Sequence, residues 1–128
     1  MLRLNSIPGN LAKVESLVDD VVNQYRLSTE QKGSILISLT EAVTNAMRHG
    51  NSNDASKAVE VSHRNQNGRL AFSISDEGEG FDYNNLPDPT APENILKCGG
   101  RGVFLMRQLA DELEFRNNGS TVEMCFNI

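Results

Sequence analysis

Glu41 and Asn45 stand four residues apart in the run Glu41-Ala-Val-Thr-Asn45-Ala-Met-Arg-His49-Gly50, so a helix would carry a carboxylate and a carboxamide on one face. Such a pair offers oxygen to a divalent cation and a base to a hydroxyl, the two requirements of phosphoryl transfer. Asp76-Glu-Gly78-Glu-Gly80 puts a carboxylate at the end of an alternating apolar segment. There it can accept from the exocyclic amine of adenine, while the glycines let backbone close over a ligand. Gly99-Gly100-Arg101-Gly102 leads into a segment of helical periodicity. Glycines ahead of a helix expose N–H groups to an anion, and Arg101 adds a forked contact to phosphate. Singly, each cluster equally suits a solvated polar stripe, a turn or a hinge. In this order, the three read together as a nucleotide site.

Other chemistries find less support. The chain contains no Gly-Lys pair, which removes a phosphate loop of the Walker type, and Tyr83 occupies the third glycine position of a GxGxxG pattern. His49 and His63 are too far apart and too poorly accompanied to read as a metal pair, and Cys98 and Cys125 have no zinc spacing. His49 is expected to pack or hydrogen-bond at the helix end, and Cys125 to pack in a strand. A net charge of −5 argues against non-specific nucleic-acid binding. The start of the chain lacks the pattern of a signal peptide, and no stretch approaches the roughly 20 apolar residues that span a bilayer. A cytoplasmic protein without membrane attachment is expected.

The elements that must hold these clusters are legible in the periodicity. A short strand fits Leu2 to Leu4, and Leu11, Val14, Leu17, Val18, Val21 and Val22 fall at helical spacing over Leu11 to Tyr25. Ser28 and Gln31 form a capping-box pattern that opens a second helix, expected over about 29–49. Strands are predicted over Ala58 to Arg64 and Leu70 to Ser75, with the hairpin signal Asn65-Gln66-Asn67-Gly68 between them. From Phe81 to Cys98 no apolar period survives three prolines and several Asp and Asn residues, so a mobile lid is expected over 82–102. A third helix is predicted from Val103 through Leu113, then a strand from Glu114 to Arg116. Asn117-Asn118-Gly119-Ser120 turns into a last strand carrying Val122, Met124, Phe126 and Ile128. The 128 residues fit a single domain. The expected fold is α/β: a two-layer sandwich with a mixed, mostly antiparallel sheet and helices on one face.

The three clusters resemble the N box and the two glycine boxes of the Bergerat-type (GHKL) ATPases and kinases, which include gyrase, histidine kinases and mismatch-repair ATPases. Ser6-Ile-Pro-Gly-Asn10, the Glu41 to Gly50 run and Gly99-Gly-Arg-Gly-Val-Phe-Leu-Met106 are similar, more narrowly, to the anti-sigma-factor serine/threonine kinases of bacterial partner switching. The likeness covers essentially the whole chain. It implies ATP and Mg²⁺ as cofactors, with Asn45 as the metal ligand and Glu41 as the catalytic base or orienting group. It further implies that Asp76 contacts the adenine amine, Gly78 and Gly80 shape the pocket, and Gly100, Arg101 and Gly102 close on the phosphates. Thr121 would support the adenine end. The implied partners are a STAS-domain anti-sigma-factor antagonist, phosphorylated on serine or threonine, a sigma factor or similar regulator, and a second copy paired at a sheet edge. Many relatives carry an aliphatic residue where this chain has Arg101. A nucleotide-gated binding module without transfer is the competing reading. A detached histidine-kinase catalytic domain fits less well, because the expected elements include no phosphoacceptor helix pair.

Overall fold

The computed structural model describes residues 1–78 and 100–128; Gly80 and the lid residues up to Cys98 lie outside the described residues. Among the described residues five strands form one antiparallel sheet in the order β1-β2-β3-β5-β4. These are β1 (Leu2–Asn5), β2 (Ala58–Gln66), β3 (Arg69–Ser75), β4 (Glu112–Arg116) and β5 (Thr121–Asn127). Helices α1 (Leu11–Tyr25), α2 (Thr29–Asn45) and α3 (Gly100–Leu109) form the second layer. Every described strand pairing is antiparallel, a simpler sheet than the mixed one expected.

Local chemistry accounts for the element ends. Helix α1 buries Val14, Val18 and Val21 and stops at Arg26, which adopts the left-handed conformation with φ 54°. Helix α2 opens on the expected capping box: Gln31 N–H donates to Ser28 Oγ (3.1 Å) and Ser28 N–H to Gln31 Oε1 (2.8 Å). The helix expected over about 29–49 departs from regular α geometry at its end, widening into a π turn over Ala46–Gly50. Single π turns of this kind are frequent at functional sites. The β2–β3 hairpin is tighter than predicted, both strands running up to a two-residue turn. Asn67 (φ 54°) and Gly68 (φ 80°) supply the positive φ pair that such a turn requires.

Two boundaries move. Helix α3 begins at Gly100 rather than Val103, so the glycine cluster forms its first turn. It ends at Leu109, because Asp111 docks on β5: its N–H donates to Cys125 O (2.9 Å) and its carboxylate accepts from Asn127 N (2.7 Å). Leu113 is therefore a strand residue opposite Met124, not the last turn of a helix.

The core lies between the layers. Val14, Val18, Ile35, Leu39 and Val43 from the helices meet Leu4, Val61, Leu70, Phe72, Ile74 and Met124 from the sheet, all fully or nearly fully buried. Strand alternation sends the intervening residues to the other face. There Arg3–Glu60, Arg64–Glu123, Arg116–Glu123 and Arg69–Glu112 pair in ion pairs whose arginines are largely exposed, which keep the face polar while adding little stability. Cys125 is buried on β5 as expected.

Candidate nucleotide site

Helix α2 is the axis of the site, and the other two clusters converge on its C-terminal half. Glu41 and Asn45, both half-buried, lie beneath the first turn of α3. A methyl group at Gly102 would stand 2.7 Å from Asn45 Nδ2 and 3.0 Å from Glu41 Oε2, so a larger residue there would push the Asn45 carboxamide aside. Residues 100–102 thus supply first-turn N–H groups, which have no partner within the helix, directly above a carboxylate and a carboxamide.

The second convergence lies just past the end of α2, on the π turn, nine residues after Glu41 and five after Asn45. Gly50 closes the π turn, and a side chain there would overlap the carboxylate of Asp76. One at Gly78 would overlap the carbonyl of Gly50. Asp76 is fixed at both ends: its N–H donates to Ser120 O (2.9 Å) and its Oδ1 accepts from Gly78 N–H (2.8 Å). Burial holds this carboxyl above the ordinary aspartate range, and the Gly78 N–H offsets part of that rise.

A raised folded-state pKa means that the fold binds this proton more readily than the unfolded chain does. The charged carboxylate therefore costs stability above its folded pKa, and the cost is relieved as pH falls through it. Asp76→Asn should consequently leave the neutral-pH urea midpoint equal to or above the parent's, and should flatten the acid-side dependence. A clearly lower midpoint at pH 7 would contradict this account of Asp76.

Asn51 was not singled out by the sequence. It is fully buried just past the π turn and makes three side-chain hydrogen bonds. Its Nδ2 donates to Ser6 Oγ and to Ala58 O, both at 3.0 Å, and its Oδ1 accepts from Glu77 N–H at 2.8 Å. It ties the N-terminal turn and the start of β2 to the Asp76 loop. The only sequence signal was an asparagine directly after His49-Gly50, which reads equally well as a helix stop.

Thr121 is not brought to Asp76. It faces Ser75 across the β3–β5 pair, one position out of step with the buried Ile74–Val122 pair, so its side chain lies on the sheet face away from the helices. Its hydroxyl bonds Ser75 Oγ (2.9 Å) and accepts from Asn117 Nδ2 (3.2 Å). The β5 end reaches the Asp76 loop through the Ser120 carbonyl instead. The surroundings of Gly100, the side chain of Arg101 and all of Gly80 fall outside the described positions. His49 lies on the π turn with its side chain exposed.

Among the described residues no three of His, Cys, Asp and Glu converge as a metal cage. A carboxylate and a carboxamide under a helix N-terminus suit instead a hard cation shared with ligand phosphates, the usual setting of Mg²⁺. No described helix is long and apolar enough to cross a membrane.

The family model described as a histidine kinase-like ATPase domain matches residues 4–126. The serine-protein kinase RsbW of Oceanobacillus iheyensis is 27% identical over 122 residues, spanning 91% of this chain and 77% of the relative. That of Staphylococcus epidermidis is 35% identical over 96 residues, spanning 69% of this chain and 60% of the relative. The histidine kinase domain of a blue-light activated histidine kinase from Erythrobacter litoralis superposes with a TM-score of 0.57 at 22% identity. It covers 93% of this chain and 59% of the other.

Proposed function

Because the chain belongs to the histidine kinase-like ATPase domain family, we propose that it is an ATP-dependent protein serine/threonine kinase that phosphorylates a STAS-domain antagonist and sequesters a sigma factor or similar regulator. The observation that carries the reading is the seating of Gly102 on Glu41 and Asn45, while Gly50 and Gly78 enclose Asp76 just past the end of the same helix. A triphosphate at the first cluster and a base at the second suit a nucleotide laid along the C-terminal end of this helix. Relatives named serine-protein kinases support the activity.

In this reading Asp76 accepts from the adenine amine, and the first-turn N–H groups of residues 100–102, with Arg101, receive the phosphates. Asn45 would hold Mg²⁺ through its carboxamide oxygen, and the ion would neutralise phosphate charge. Glu41 orients the acceptor hydroxyl and takes its proton as the oxygen bonds to the terminal phosphorus and the bridging bond to ADP breaks. Gly78 and Gly80 shape the pocket, residues 82–102 close it, and the single domain works in the cytoplasm, as a homodimer joined at a sheet edge.

The direct test is incubation with Mg²⁺, γ-labelled ATP and the STAS protein encoded nearest to this chain. Label on a serine or threonine of that protein is expected. ATP binding without label would leave a nucleotide-gated binding module instead.

Asp76→Asn tests the base end. Gly78 N–H keeps an oxygen at the Oδ1 position, so the new amide group must stand where the adenine amine needs an acceptor. Two donors then face each other, and ATP affinity should fall about 10- to 150-fold, the equivalent of one hydrogen bond to a charged group. Calorimetry checks this, and unchanged affinity would remove Asp76 from base recognition.

A further inference from the structure

Ser38 is the one described residue whose buried side-chain oxygen lacks a hydrogen-bond partner, and it is fully inaccessible. A helical serine ordinarily satisfies its hydroxyl on the carbonyl one turn back, which this one does not do. Stability gives no reason for its presence: Ile35, Leu39 and Ala42 around it on α2 are all buried and apolar, and alanine would suit the helix better. Its position does give a reason. Ser38 lies one turn before Glu41 and two before Asn45, on the stripe of α2 that leads into the site, and helical side chains lean toward the N-terminus. Glu41 lies within a turn of Ser38 with its Oε2 beside Gly102, and among the described residues nothing hydrogen-bonds its carboxylate.

We propose that Ser38 is a positioning residue for phosphoryl transfer. With nucleotide and acceptor bound, its hydroxyl donates to one oxygen of the Glu41 carboxylate and turns the other toward the acceptor hydroxyl. This rests on the reading of Glu41 as the base. The proton of the acceptor passes to the free Glu41 oxygen, while Ser38 keeps its own proton throughout. The unpartnered hydroxyl is a donor kept clear of competitors until the carboxylate takes it up.

The test compares the parent with Ser38→Ala, Glu41→Gln and the double variant, measuring kcat, KM for ATP and thermal midpoint. Ser38→Ala should lower kcat about tenfold, leave KM for ATP unchanged and not lower the thermal midpoint. In the double variant the Ser38 substitution should add nothing to the loss caused by Glu41→Gln, since the two act as one unit. Unchanged kcat in Ser38→Ala, or full additivity with Glu41→Gln, would overturn the proposal while leaving Glu41 as base intact. A fully active Glu41→Gln would instead overturn the base reading itself. Isotope-edited infrared spectra with Mg²⁺, a non-hydrolysable ATP analogue and the acceptor provide a readout independent of turnover. The carboxylate band that disappears in Glu41→Gln should shift in Ser38→Ala, and a band that stays in place would overturn the proposal.

Discussion

Glu41→Gln is expected to bind ATP as the parent does and to transfer phosphate on the order of 10²–10⁴ times more slowly, the range lost when a positioned general base is removed. The substitution keeps the length and shape of the side chain beneath Gly102, so the seating of α3 on Glu41 is unchanged and α3 has no reason to move. What changes is basicity: a carboxamide cannot take the proton of the acceptor hydroxyl. Single-turnover transfer with saturating ATP and antagonist isolates that step from binding. A variant transferring at the parent rate would show that orientation and phosphate neutralisation suffice, and Glu41 would lose its assigned part.

Asn51→Ala should cost roughly 2–4 kcal/mol of folding stability, because truncation strands several buried groups at once rather than removing one favourable contact. Ala58 O and Glu77 N–H lose their Asn51 bonds, and Ser6 Oγ keeps only its donation to Lys57 O. Urea denaturation measures the loss. Since Glu77 follows Asp76 directly, ATP affinity should fall as well, and the Glu77 amide should lose hydrogen-exchange protection ahead of the β2–β3 hairpin. An unchanged midpoint would mean that the network re-forms around water, leaving Asn51 dispensable.

Taken by itself, the sequence determined whatever depends on neighbours along the chain. The bounds of α1, the Ser28–Gln31 capping box, the two hairpin turns and the inward face of the sheet follow from periodicity, caps and residues that tolerate positive φ. These are local interactions, and local sequence specifies them. The Glu41, Asp76 and Gly102 clusters stood out only as an ordered set, since each alone suits a polar stripe, a turn or a hinge.

The tertiary structure decided what depends on which segments meet. Leu113 shares helical spacing with Leu109, and only the docking of Asp111 on β5 made it a strand residue. Alternation with Val122 sets the face of Thr121, but only the strand register made Ser75 the partner of its hydroxyl rather than Asp76. A slip of one residue exchanges the two faces of a strand, so such an assignment cannot be made until the pairing is known. The burial of Asn51 and Ser38 was invisible for a related reason: it is set by distant segments, and neither residue differs in sequence from an exposed one. Gly78 and Gly102 read as freedom to bend, whereas in the fold Gly78 packs against the Gly50 carbonyl too closely for a side chain and Gly102 sits directly on the ends of Glu41 and Asn45.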